Sequence, residues 1–352
     1  MPTVERVDTL SFFDIDFEGE SFSDEQLAHL RQWSDATSHC MNQFRDGLRW
    51  MFQWTKGTET CLDGMERIDL TKLYENSGLR VSLLVSREYG VGVLCVWQKD
   101  DGCADPLTKK TDAWDIHYKA MRFFAKALHD AGSLVVPTSI ERRYPLTGVR
   151  IAERVGDILK SREEQIVLGK WFTGNYEMQT EDSLIREIMD QNLSNRSYEL
   201  LFIRWTDALA VYDSSVGSDY ETALFRVALI YETTIILRRL LSSLGDRMDV
   251  TAASLRAYWP DPWAVNERLE ALAKIRTTLI TRPPVQSIEA MRLLSAAYNA
   301  FGIPSFVDHT SEKARFLESR WQWTKTQFLV ILGLITYLMD KFELFKSIRQ
   351  LF

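Results

Sequence analysis

Apolar and polar positions alternate over residues 4–17, where Val7, Leu10, Phe12 and Phe13 run into Asp14-Ile15-Asp16-Phe17. That period of two predicts a strand. The period then lengthens. Leu27, Leu30, Trp33, Ala36, Cys40, Phe44, Leu48, Met51 and Phe52 recur at helical spacing, and Gly57 ends the run. Ser23 as N-cap, Gln26 three residues on and the Phe22/Leu27 pair supply a capping box with a hydrophobic staple. A short helix is expected near 69–76, stopped at Ser77-Gly78. Leu79–Ser86 and Val91–Lys99 are β-rich runs around Arg87-Glu88-Tyr89-Gly90, a pattern that predicts a hairpin. A helix over 112–130 places Ile116, Ala120, Phe123, Phe124, Ala127 and Leu128 on one side, and a short strand is expected at Ser133–Pro137.

From about residue 145 the pattern reads as helix nearly throughout, with segments near 147–161, 180–193, 197–213, 219–245, 263–281, 285–300 and 309–349. Pro260, Pro262, Pro283, Pro284 and Pro304 fall between these segments, as helix breakers do. The expected class is α+β: a small mixed sheet with packed helices near the N-terminus, then a mainly α-helical region ending in a long helix. The expected division is a mixed α/β domain over 1–145, a helical domain over 146–308 and the C-terminal helix over 309–352.

That last helix carries Phe328–Met339, FLVILGLITYLM, twelve residues without a charge. Trp321, Trp323 and Lys325 precede it, and Tyr337, Asp340, Lys341 and Phe342 close it. Aromatic and basic flanks of this kind belong to membrane interfaces, whereas a simple span asks for about 20 apolar residues. Basic residues lie on both sides, so the positive-inside tendency does not orient the segment. Trp321, Trp323, Phe328, Leu332 and Tyr337 are the expected contacts with a membrane or with other copies of the chain. In outline, an α/β region, a helical body and a long terminal helix with an apolar stretch resemble the CorA-like transporters. The glycine-methionine-asparagine signature and second span of that family are absent, so the resemblance is one of architecture.

Composition narrows the chemistry. A net charge of −7 and a pI near 5.4 do not indicate nucleic acid as a partner. Cys40, Cys61, Cys95 and Cys103 show none of the short paired spacings of zinc sites. The N-terminus lacks a signal peptide's basic and apolar regions. The expected location is cytoplasmic, with the C-terminal helix as an anchor at the inner face of a membrane in one reading. Eleven tryptophans are many for a chain of 352 residues, and the indole favours surfaces with an apolar and a wet side.

Asp14, Asp16 and Glu18 would line one strand face, an arrangement of oxygen ligands suited to Mg²⁺. Arg122 and His129, six residues apart in between, match the loose R-x(4–6)-H pattern that HEPN-type ribonucleases carry on a helix. His29, His39, His117 and His309 have no acid or cysteine arrangement that links them locally. Arg142-Arg143 and Arg238-Arg239 are the adjacent arginine pairs, suited to surface acids, anionic lipid or nucleotide phosphate. Phosphate-loop, dinucleotide, zinc-protease and serine-hydrolase motifs are absent, and no cofactor is assigned. Three functions fit. The first is a non-catalytic sensor or effector held at a membrane or in a homo-oligomer by its last helix, perturbing the membrane in the extended form. The second is a HEPN-like or metal-dependent nuclease or nucleotide-processing enzyme. The third is a soluble adaptor.

Overall fold

A computed structural model of the chain describes residues 2–17, 24–33, 48–53, 62, 64–71, 74, 78–100, 105–130, 139–173, 182–204, 207–254, 262–281 and 283–341. Seven strands form one sheet: β1 (Val4–Asp16), β2 (Met65–Asp69), β3 (Leu79–Ser86), β4 (Val91–Asp100), β5 (Ser139–Ile151), β6 (Glu199–Ile203) and β7 (Ala208–Asp213). Their spatial order is β2-β3-β4-β1-β5-β7-β6. The long first strand lies at the centre, antiparallel to β4 and to β5. The β3–β4 hairpin forms as its pattern predicts. The pairing of β5 with β7 is the parallel one in the sheet, and β6 closes that edge antiparallel to β7.

Both faces of the sheet are covered, so its central strands are buried on both sides and carry apolar residues at odd and even positions. Leu10 and Phe12 of β1 face one core, whereas Phe13 and Ile15 face another. Against the first lies α6 (Tyr220–Ser254), backed by α7 (Pro262–Ile275), α8 (Ile288–Ala300) and α9 (Ile303–Lys341). Against the second lies α2 (Pro106–Asp130), with Ala120, Met121 and Phe124 facing the sheet. The crossover from β5 to β7 supplies α3 (Val155–Ile158), α4 (Arg162–Thr173) and α5 (Asp182–Asp190), which cover the far end of that same face. At the remaining edge, α1 (Asp24–Trp33) lies near β2 and seats Leu27 in the core.

The chain is therefore mixed α/β with a long C-terminal helix, as expected in outline, but the sheet is larger than the sequence pattern implies. Residues 197–213, expected as helix, are the strands β6 and β7. Each is too short for its apolar run to reveal a period. Alternation shows once the packing is known: Leu209 and Val211 face one core, Ala208, Ala210 and Tyr212 the other. Residues 147–151, also expected as helix, complete β5. Of the stretch near 69–76, Asp69 ends β2, and the expected helix falls largely outside the described residues. The sheet is thus not confined to the first 145 residues, and three of its strands contribute residues beyond that point. The expected long helix is described only over α1 and again from Leu48, and the expected strand at Ser133–Pro137 lies outside the described residues.

Pro283 and Pro284 lie between helices as expected, whereas other prolines mark helix starts. Pro106 and Pro262 open α2 and α7, and Pro304 sits in the first turn of α9. Proline's missing N–H costs nothing there. Gly302, at φ 67°, ends α8 and turns the chain directly into α9.

Candidate interaction site on the C-terminal helix

The helix α9 changes character along its length. Ile303, Thr310, Ala314 and Leu317 are buried, spaced as one seam of a helix. Thr310 Oγ1 also donates to the backbone oxygen of Leu241 on α6 at 3.4 Å, and Lys313 pairs with Asp249 at 2.6 Å. Leu317 is the last buried residue of the helix. Beyond it the side chains are half-buried at most, and from Lys325 to Leu338 every one is exposed.

From Phe328 on, all but Gly333 and Thr336 of these exposed residues carry large apolar side chains. They run from Phe328, 65% exposed, through Leu329, Val330, Ile331, Leu332, Leu334, Ile335 and Tyr337 to Leu338 at 41%. Successive residues of a helix are turned by about 100°, so a consecutive apolar run presents apolar groups in every direction. This is not an amphipathic face laid on the body. A helix apolar all round belongs inside something, a core or a membrane.

The flanks are organised. Lys325 Nζ lies 4.8 Å from the Trp321 ring centroid, and Lys341 Nζ lies 5.7 Å from that of Tyr337. Each pair is four residues apart, which draws the lysine stem along the helix and leaves its ammonium at the border of the apolar stretch. Of the five contacts expected from the sequence, Trp323, Phe328, Leu332 and Tyr337 are exposed, and Trp321 is half-buried beside the body's core. Twelve residues at about 1.5 Å each cover about 18 Å, against about 30 Å of bilayer hydrocarbon. Among the described residues, no helix is long and apolar enough to cross a membrane.

The other sequence candidates are dispersed. Asp14 is buried and accepts from the Arg142 backbone N–H at 2.9 Å; Asp16 Oδ2 accepts from Arg239 of α6 at 2.7 Å. Glu18 lies outside the described residues, and among those described no group of three or more His, Cys, Asp and Glu residues could hold a metal ion. The strand face that carries Asp14 and Asp16 packs under α6 instead of facing solvent. Arg122 is exposed on α2 and stacks on Tyr118, 4.6 Å from the ring centroid. His129 belongs to the last turn of α2, and its side chain lies outside the described residues.

Comparison with known protein families, curated proteins and solved structures found no match.

One grouping escaped the sequence reading. Ser11 of β1, His117 of α2 and Arg143 of β5 meet beneath α2, with Ser11 Oγ 2.6 Å from His117 Nδ1 and 2.7 Å from Arg143 Nε. Arginine can only donate, so the Ser11 hydroxyl accepts from Arg143 Nε–H, and the direction of its bond with His117 Nδ1 is set by the imidazole tautomer. The other ring nitrogen, Nε2, is buried and has no hydrogen-bond partner among the described residues. Burial, with the Arg143 charge adding to it, lowers the His117 pKa to about 3 and keeps the ring neutral. The residues are 106 and 132 positions apart from Ser11, so no local motif announces them.

Proposed function

We propose that this protein is a non-catalytic, membrane-associated sensor or effector, with its α/β body carried on α9 and the segment 328–339 seated among lipid acyl chains. The observation that carries this reading is the apolar stretch exposed on all sides beyond Leu317. Covering nine large apolar side chains that stand roughly half exposed would yield about 10 kcal/mol, taking ~1.5–3 kcal/mol for full burial of each. A folded chain does not leave a patch of that kind in water without an occupant. The paired Trp321/Lys325 and Tyr337/Lys341 groups suit the two borders of such a segment, apolar ring inward and charge outward.

The length of the stretch shapes the rest of the reading. A segment of about 18 Å reaches through one leaflet and somewhat beyond. Deeper insertion would carry Lys325, Asp340 and Lys341 towards the hydrocarbon, and packing of several copies side by side would offset that cost. Self-association of α9 is therefore part of the proposal, and the body would remain at the cytoplasmic surface.

The test is flotation of the full-length chain with phosphatidylcholine vesicles, followed by an alkaline carbonate wash, beside the variant Leu332→Asp/Ile335→Asp. The native chain is expected to float and resist the wash. The variant is expected to stay in the soluble fraction with an unchanged circular dichroism spectrum and Tm, because neither side chain is buried in the body. A native chain that remains soluble, with both proteins of equal mass in solution, would overturn the reading. A native chain that forms a soluble oligomer dispersed by the variant would assign the segment to protein contacts alone.

A further inference from the structure

Arg143 is held in place by neutral groups. Its Nε is anchored on the Ser11 hydroxyl, which is in turn tied to the neutral His117, and its guanidinium carbon lies 4.5 Å from the centroid of the Trp114 ring. Among the described residues it meets no carboxylate, and the remainder of the guanidinium makes no hydrogen bond. Three inward-facing arginines differ: Arg6 faces Asp8 and Glu221, Arg67 faces Glu232, and Arg226 faces Glu199 and Glu289. Burial alone pushes Arg143 down to about 10, the response of a cation taken from water without an anion.

An arginine fixed through Nε with its forked outer edge unneutralised is built to receive an oxyanion in two parallel hydrogen bonds. Beside it, the Trp114 indole is 49% exposed. Tyr118 and Arg122 follow at four-residue intervals on the same exposed side of α2, and Arg142 is exposed next to Arg143. The guanidinium covers one face of the indole, and an oxyanion receptor against a half-exposed aromatic ring presents the two chemistries of a nucleotide, phosphate and base.

We propose that Arg143 and Trp114 form a nucleotide-binding site, with the guanidinium holding a phosphate and the indole stacking on the base. Ser11 and His117 are positioning residues: they orient the guanidinium without cancelling its charge. The site lies over the sheet face covered by α2, whereas α9 packs with the helices on the opposite face. It is therefore independent of the membrane reading, and the soluble Leu332→Asp/Ile335→Asp variant is expected to retain it.

The experiment is isothermal titration of the full chain, in detergent if required, with AMP, inorganic phosphate and adenosine. AMP is expected to bind about tenfold or more tighter than phosphate, the gain typical of one base stacked on an aromatic ring. Arg143→Gln is expected to weaken AMP by about tenfold to a hundredfold, as loss of charge-assisted hydrogen bonds does. Trp114→Ala should bring AMP down to the level of phosphate, and Trp114→Phe should restore most of the difference. Because Arg143→Gln touches a partly buried site, Arg143→Lys serves as the second variant, keeping the charge but losing the fork. AMP binding no tighter than phosphate, or equal in native chain, R143K and R143Q, would overturn the site. So would the absence of AMP binding in a native chain whose fold is intact. Binding of the soluble variant to phosphatidylglycerol vesicles that R143Q abolishes, without AMP binding, would assign Arg143 to a lipid headgroup and overturn the nucleotide proposal.

Discussion

Gly148 and His117 show how single residues answer to distant parts of the chain. Gly148 lies on β5 where α6 makes its closest approach: a Cβ there would stand 2.6 Å from Leu224 Cδ2 and 2.9 Å from Tyr220 Oη. Gly148→Ala is expected to cost about 1–3 kcal/mol by overpacking, read as a lower denaturant midpoint with an unchanged slope. His117 makes stability depend on pH. Its folded pKa is lowered from 6.5 to about 3, so it is neutral in both states above pH 6.5 and takes up a proton only in the unfolded chain below it. The stabilisation is present above pH 6.5 and drains away as pH falls towards 3, by up to about 1.4 kcal/mol per pH unit. Denaturant titrations between pH 7 and 4 are expected to show a slope shallower by about one proton in His117→Gln. An equal slope in both proteins would mean that His117 is hydrated or charged in the folded state. Neither residue stood out in the sequence, because the partners that give it a role lie on other elements.

At the level of elements, β1 and α9 were legible for different reasons. β1 carries enough alternation to be read as a strand, although its centre is buried on both faces. The helix α9 shows one clear seam followed by an uncharged run, so both its existence and its unusual end could be read directly. By contrast, the five- and six-residue apolar runs of β6 and β7 fit either period, so the sequence pattern predicts helix where the fold has strands. Their identity is settled by hydrogen bonding, β7 to β5 and β6 to β7. The two halves of α9 give a direct test with one residue type. Leu317→Ala, in the seam, is expected to cost about 2–5 kcal/mol of body stability. Leu332→Ala, in the exposed run, is expected to stay within about 0.5 kcal/mol in detergent. Thermal unfolding followed by tryptophan fluorescence separates them, and equal losses would place residue 332 inside a folded interface.

Across the whole molecule, on the proposed reading, an acidic chain with one uncharged, solvent-exposed helical run should meet membranes through apolar burial more than through charge. Flotation with vesicles is therefore expected to persist when salt is raised from 0.1 to about 1 M, where the Debye length falls from about 10 Å to about 3 Å. Loss of flotation at high salt would shift the contact to lysines and arginines and away from 328–339. The architecture also separates two surfaces. The apolar end of α9 grows from the helical layer on one side of the sheet, and the Arg143–Trp114 site lies under α2 on the other. A ligand on one face and a membrane contact on the other would be joined by the sheet itself, through β1, which packs against both α2 and α6.

What the sequence determined by itself was local: the period of β1, the β3–β4 hairpin, the α2, α6 and α9 helices, and the uncharged run that ends the last of these. Each is encoded within a window of ten to forty residues, where spacing alone distinguishes strand from helix. The tertiary structure decided the size of the sheet, the parallel β5–β7 pairing, the faces on which Asp14 and Asp16 come to rest, and the meeting of Ser11, His117, Arg143 and Trp114. Those depend on contacts between residues distant in the chain, from tens to more than two hundred positions apart, or on buried runs without a period. The same folding left Phe328–Leu338 uncovered, since the buried seam that docks α9 on the body ends at Leu317 and, past the half-buried Trp321, every side chain from Lys325 to Leu338 is exposed.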